Sequence, residues 1–373
     1  MGQRTLARPA AGLCVGLVVY ASLYPFTGWR TQGGEFLAFL WAPWPRYWTG
    51  FDVLSNLLGY MPLGFFLAVA VLRTAGPTWQ WVGACALPAL LSLCLEALQV
   101  YLPSRVPSNV DWLLNSAGGG VGVLLALAMN RLGLLDRWQR LRSHWFVPEA
   151  HGALLLLALW PVALLYPVAV PFGLGQVLTS VEAWLVDAAA QAGLAHWLPA
   201  VERTLLPMSP AKEALAVALS LLVPCLLGYA VLVGVFRRMV HLCCLVALGT
   251  GVSAFSSAMT FGPAHAWVWF TPKVSAGLAL GFVLGLGAVL LTRRACAVWM
   301  LLVLVAVLAL LNQAPPLPYM AETLEVWSQG RFIRFHGLTQ WIGWLWPFAV
   351  LWHGIGQATR RSAPGGFDHT TQA

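Results

Sequence analysis

Charge is what this chain of 373 residues has least of: 9% of them are Asp, Glu, Lys or Arg, against roughly 25% in a soluble domain. With 59% hydrophobic residues and a mean hydropathy of +0.74, too few charges remain to cover a water-facing surface. That excludes a soluble globular domain and points to an integral membrane protein. A basic domain is also missing. The formal charge of +8 comes from short basic punctuation between apolar runs, without the aromatic–basic alternation that binds bases, so nucleic acid is excluded as a partner. A cysteine framework is missing too. Cys14, Cys85, Cys94, Cys225, Cys243, Cys244 and Cys296 all lie in apolar runs, form no C-x-x-C pair and have no histidine at metal spacing. They read as buried thiols, with neither disulfides nor a zinc site. After the short arm with Arg4 and Arg8, no small-residue cleavage site follows the first apolar run, which is expected to be an uncleaved membrane helix.

What is present is a series of apolar runs, at about 10–26, 52–72, 79–102, 110–130, 151–170, 212–236, 239–257, 273–292, 295–313 and 336–356. Each approaches the ~20 residues that cross a bilayer as a helix. The expected fold is all-α: a polytopic transmembrane bundle of about ten helices. Ser253, Ser256 and Ser257 dilute the end of the run at 239–257. Residues 27–51, with Trp29, Trp41, Trp44, Trp48 and two prolines, read as interfacial. Residues 171–211 are amphipathic and read as an outside or surface-lying helix pair. With the N-terminus inside, the cytoplasmic segments collect Arg73, Arg131, Arg137, Arg140, Arg142, Arg237, Arg238, Arg293 and Arg294, which puts both termini in the cytoplasm. The expected organisation is a four-helix membrane domain at 10–130, a basic cytoplasmic linker at 131–150, a region of about six helices at 151–356 and a tail at 357–373.

A faded parallel repeat is also readable. Ser22-Leu23-Tyr24-Pro25-Phe26 ends the first run, and Leu165-Tyr166-Pro167 with Pro171-Phe172 ends the fifth. Pro62 has a counterpart in Pro224, and Gly118 and Gly122 have counterparts in Gly277, Gly281 and Gly285. Lys273 and Gly277 then stand roughly where Asp111 and Asn115 stand. Glycine and proline are common in membrane helices, so chance agreement is the competing reading.

Three runs between Phe51 and Gly122 each carry a polar stripe at steps of four and three residues, one face of a helix. They are Asp52, Asn56 and Gly59; Ser92, Glu96 and Gln99; and Asp111, Asn115, Gly118 and Gly122. The expected topology brings Asp52, Asn56, Glu96, Gln99, Asp111 and Asn115 to the outer leaflet, with Arg105 in the loop beside them. Asp111 and Asn115 differ by about 6 Å of helix rise, so the site is shallow. Blander readings stand beside this one. Ser108 or Asn109 caps a helix, Asp52 and Asp111 suit first turns, the glycines let helices approach, Asn56 and Asn115 join helices, and Arg105 pairs with an acid. Glu96 is the hardest to explain as structure, because an acid several residues inside the membrane costs at least ~2.5 kcal/mol. Asp52, Glu96 and Asp111 against Arg105 leave an excess of negative charge. Either one acid stays protonated or a cation completes the site. Carboxylate and amide oxygens would suit Mg²⁺ or Ca²⁺; otherwise no cofactor is expected.

The pattern Asp52-x3-Asn56, Pro62-x-Gly64, Glu96-x2-Gln99, Arg105, Asp111-x3-Asn115-x2-Gly118 resembles the VanZ-like family of membrane proteins over about residues 10–130. The family takes its name from a protein linked to teicoplanin resistance. The resemblance implies a bacterial protein of the cytoplasmic (inner) membrane with a cell-envelope or lipoglycopeptide connection. Four functions are open at this point. The first is binding or modulating an envelope lipid or lipid-linked glycan headgroup, with Arg105 on a phosphate or carboxylate. The second is an intramembrane enzyme with Glu96 as general acid or base, although no nucleophile–base pair is readable. The others are a transporter and a purely structural polar network.

Overall fold

The computed structural model describes residues 6–24, 26–33, 35–45, 49–74, 77–166, 168–194, 207–315 and 333–359. A chain this apolar must satisfy its backbone polar groups internally, and the helix does so within one segment. Among the described residues there are twelve α-helices and no β-strand: α1 Ala7–Leu23, α2 Gly50–Thr74, α3 Thr78–Gln99, α4 Asn109–Arg131, α5 Leu134–Trp145, α6 His151–Ala163, α7 Leu178–Gln191, α8 Pro210–Tyr229, α9 Val235–Phe261, α10 Pro272–Ala288, α11 Arg293–Leu311 and α12 Ile333–Thr359. Six of them, α2, α3, α4, α8, α9 and α11, are long and apolar enough to cross a membrane. Three further apolar helices, α1, α6 and α10, are shorter. The expected run at 151–170 narrows to the 13 residues of α6, because the backbone turns at Leu164 and Leu165 onto the carbonyls of Trp160 and Val162. The serine-diluted run lengthens instead: α9 spans 27 residues, as Ser256 and Thr260 bond to nearby carbonyls rather than break it. The basic stretch at 131–150 holds α5, whose Asp136 pairs with Arg73 at 3.1 Å. Within 171–211, α7 buries no side chain; residues 195–206 lie outside the described residues. So does the tail beyond Thr359.

The chain divides into two compact units, Met1–His144 and Trp145–Ala373. In the first, α1 packs on α2 and α3, α3 packs on α2 and α4, and the closest pair is α2 with α4. That closeness comes from glycine: a Cβ at Gly118 or Gly122 would strike the backbone of Leu57 or Met61, and one at Gly64 would strike Gly119. Small residues that bring backbones together are how membrane helices associate without a hydrophobic driving force. In the second unit, α6 packs on α8 and α9, α9 packs on α8 and α10, and the closest pair is α8 with α10. The seam is again glycine, with Gly277 and Gly281 against the backbone of Ala214 and Ala218. Here α11 adds a further neighbour to α8, and α12 covers α6 and α11. Accordingly α8 is buried along most of its length, while α2 leaves Leu54 and Leu58 facing outward.

Of the seven cysteines, Cys225 and Cys296 are buried and Cys14 is half-buried. The other four lie exposed on helix faces, where lipid can cover an apolar thiol. All seven are free.

Candidate functional site

The C-terminus of α1, the N-terminus of α2, the C-terminus of α3 and the N-terminus of α4 meet at one end of the first unit. Hydrogen bonds between them fix this. Gln99 Nε2 donates to the Ser22 carbonyl at 3.0 Å, joining α3 to α1. Asn56 Nδ2 donates to Asp111 Oδ1 at 2.9 Å, joining α2 to α4. Asn115 Nδ2 donates to Ser92 Oγ at 2.9 Å, joining α4 to α3. Segment 26–45 crosses the same end, since Arg30 N donates to the Tyr101 carbonyl, Gln32 Nε2 to that of Val100 and Asn109 Nδ2 to that of Ala42.

Two buried ions have helix ends for partners. Glu96, 4% exposed, accepts from the backbone N–H of Ser108 at 2.9 Å. Ser108 is the N-cap of α4, in extended backbone, and its Oγ accepts from Val110 N and Asp111 N. The carboxylate therefore sits at the positive end of α4, which favours its charge. Arg105, 7% exposed, donates from Nε and Nη2 to the Tyr24 carbonyl and from Nη2 to that of Ala21, at 2.7–3.2 Å. These are carbonyls of the last turn of α1, which a cation caps favourably. The guanidinium is thus seated as a helix cap. Glu96 still lies within electrostatic reach of Arg105 and of Asp111.

Asp52 takes a local place. Its Oδ2 accepts from Thr49 N at 2.9 Å and Thr49 Oγ1 at 2.7 Å, and its own N–H points back at Thr49 Oγ1. This reciprocal arrangement is a capping box, and it leaves Asp52 exposed at the start of α2. Gly59, next on the expected stripe, is exposed and meets nothing. The inward face of α2 is instead Asn56, Tyr60 and Leu63, at steps of four and three.

Tyr60 is the member that sequence reasoning missed. It is 4% exposed, and its hydroxyl faces Ser22, Ser92 and Glu96. The hydroxyls of Ser92 and Ser22 are its near neighbours, though neither reaches ideal hydrogen-bonding geometry with it, and Oδ1 of Asn115 is buried with no partner among the described residues. The signal was available, because Tyr60 follows Asn56 by one helical turn. Ser92, fully buried, completes the lining. The structure therefore brings Asn56, Glu96, Gln99, Arg105, Asp111 and Asn115 to one end of the bundle with Tyr60 and Ser92, and puts Asp52 at its edge. Such a lining can accept hydrogen bonds from a polar group and balance positive charge. Among the described residues no three His, Cys, Asp or Glu side chains gather at metal-binding spacing.

Residues 9–130 match the family described as VanZ/LLP1. Neither the curated proteins nor the solved structures contain a match to this chain. The matched segment spans α1 to α4 and the residues just described, so the similarity of this multi-pass membrane protein to the VanZ/LLP1 family lies in its N-terminal third.

Proposed function

We propose that the VanZ-like domain binds or modulates an envelope lipid or glycolipid headgroup at the outer leaflet of a bacterial cytoplasmic membrane. The observation that carries this reading is the buried polar lining at the shared end of α1–α4. Seven side chains there are nine-tenths or more buried (Tyr60, Ser92, Glu96, Gln99, Arg105, Asn109 and Asn115), and two of them hold a polar atom that meets no described residue in full hydrogen-bonding geometry. A buried polar group left unsatisfied costs about 1–3 kcal/mol, and a headgroup reaching this end of the domain would supply partners for Tyr60 and Asn115 together. The position supports a headgroup over a transported solute, since transport sites lie near the midplane, between broken helices.

The test is lipid co-purification read by mass spectrometry, comparing the wild type with Glu96→Gln and Asp111→Asn. Both substitutions keep an oxygen for the bonds from Ser108 and Asn56, so the fold is retained. The reading expects a lipid class carried by the wild type and lost from both variants; identical lipid content in all three overturns it. If the headgroup belongs to a cell-wall precursor, losing the protein changes susceptibility to teicoplanin-type glycopeptides, measured as inhibitory concentration in a deletion strain complemented with wild type or Glu96→Gln.

A further inference from the structure

The headgroup reading leaves the ligand's chemistry open, and the atoms of the lining narrow it. The strongest donor of the domain, the Arg105 guanidinium, is directed at the carbonyls of Ala21 and Tyr24. The amide of Asn56 is directed at Asp111, and that of Asn115 at Ser92. What remains is mainly accepting: the second oxygen of Glu96, which takes no hydrogen bond from a described residue, Oδ1 of Asn115, and the Tyr60 hydroxyl, which can accept as well as donate. Two carboxylates act on each other across this space, since Asp111 is within electrostatic reach of Glu96. A phosphate or carboxylate would meet these acceptors with like charge. A divalent metal wants six or more oxygen ligands or a near-ideal octahedron, and no third acid joins these two among the described residues. An ammonium group carries a positive charge and three N–H donors on one atom.

The second unit supplies an internal comparison. Gln99 of α3 and Ser256 of α9 each donate to a carbonyl at the end of the preceding short helix, of Ser22 and of Leu165. That register sets Glu96 against Ser253 and Ser92 against Gly249. The glycine seams set Tyr60 against Val217 and Asn115 against Val274. The two valines are fully buried, and the space over Gly249 is filled by the rings of Trp160 and Phe172. Where the polar lining is absent, aromatic carbon occupies its place.

We propose that the Tyr60–Ser92–Glu96–Asn115 lining, with Asp111 beside it, is a recognition site for a primary ammonium group. It rests on the headgroup reading for the source of that group, a lipid headgroup, with a free amine as the other source. The full chain, purified in detergent, is titrated in native mass spectrometry with an equal mixture of phosphatidylethanolamine, phosphatidylcholine and phosphatidylglycerol of identical acyl chains, and separately with ethanolamine. The primary amine offers charge and donors, the quaternary amine charge alone, and the glycerol headgroup donors alone. Phosphatidylethanolamine is expected to bind about tenfold or more tightly than either competitor, a charge-assisted hydrogen bond being worth at least that factor. Glu96→Gln and Asp111→Asn remove the preference, Tyr60→Phe weakens it several-fold, and Ser253→Ala in the second unit leaves it intact. Thermal unfolding of each variant separates lost binding from lost fold, and any one folded lining variant is sufficient for the comparison. Equal retention of all three lipids, or of phosphatidylglycerol above the others, with dependence on Glu96 overturns the ammonium site and leaves the headgroup reading. Binding of ethanolamine without Glu96-dependent lipid keeps the ammonium site and overturns the headgroup reading. Glu96-independent binding, or no binding in either titration, overturns both.

Discussion

The two units share a plan and differ in what fills it. Each has a short helix, two long ones and a fourth that closes on the second through glycine: α1–α4 in one, α6 and α8–α10 in the other. In each, the third helix donates to a carbonyl ending the first, Gln99 to Ser22 and Ser256 to Leu165. In each, a polar pair stands just before the glycine seam, Asn56 with Asp111 and Glu213 with Lys273. In each, a Pro-Phe step follows the short helix. Its phenylalanines, Phe26 at φ 63° and Phe172 at φ 66°, are the non-glycine residues with positive φ among those described. That conformation is uncommon for a bulky residue, and it recurs after each short helix, three residues beyond the end of α1 and nine beyond the end of α6. The contents then diverge. Phe172 is 1% exposed and packs with Trp160 over Gly249, whereas Phe26 is 41% exposed and leaves the first unit's end lined by polar groups. With α11 and α12 added, the second unit has the larger apolar core, with Ser220, Arg238, Ser256, Ser257 and Thr260 buried within it; the first gathers its buried polar side chains, two carboxyl groups beside them, at one end.

The most severe break of this comparison is at the seams. Gly122→Leu and Gly281→Leu would drive a side chain into the backbone of Met61 or Ala218, and each should destabilise its unit by roughly 3 kcal/mol or more. Thermal unfolding in detergent reads this, and an unchanged melting temperature for either would refute the seam. Next come the phenylalanines. Phe172→Ala should cost about 3–5 kcal/mol as a large buried side chain, and Phe26→Ala about 1 kcal/mol or less. Equal costs would remove the distinction between a filled and an open end. The caps follow. Arg105→Gln loses bonds to the end of α1, and Arg238→Gln loses bonds to the Tyr229, Val289 and Leu291 carbonyls that end α8 and α10. Each should cost about 2 kcal/mol, and amide exchange should rise at the capped helix ends. Arg105→Gln should also leave lipid selectivity unchanged in the folded fraction; a lost anionic-lipid preference would return Arg105 to ligand binding. The smallest effects belong to Gln99→Ala and Ser256→Ala, near 1 kcal/mol each, and their equality is the sharpest check of the proposed register.

Much of this was legible in the sequence. The positions of α2, α3, α4 and α9–α12 follow the apolar runs to within about four residues, because a lipid solvent demands helix from any long apolar segment, whereas the run expected to end at 236 stops as α8 at Tyr229 and its last residues open α9. The stripes of α3 and α4 were legible from spacing, and so was a cap at Ser108 or Asn109; on α2 the inward face is Asn56, Tyr60 and Leu63 instead of the expected Asp52, Asn56 and Gly59. Partner choice was not. Arg105 stands three residues before the α4 cap and nine after Glu96, and nothing in that spacing reveals that its guanidinium reaches back to Ala21. Tyr60 was overlooked because a tyrosine in an apolar run reads as hydrophobic surface until its hydroxyl is seen to be buried. The register of the repeat also shifted: Gly277 matches Gly118 at the seam, so Val274, and not Gly277, stands for Asn115.

By itself, the sequence determined the membrane class, the helical class, the polar faces of α3 and α4 and the similarity of residues 9–130 to the VanZ/LLP1 family. These depend on composition and on the helical period, both local properties of the chain. Only the tertiary structure decided which donor meets which acceptor: Glu96 with the head of α4, Arg105 with the tail of α1, and Tyr60 and Asn115 each with an atom left over. Those pairings are set by how closely four helices approach, which glycine permits but does not specify. The residues without partners are therefore visible only once every other hydrogen bond of the domain has been accounted for.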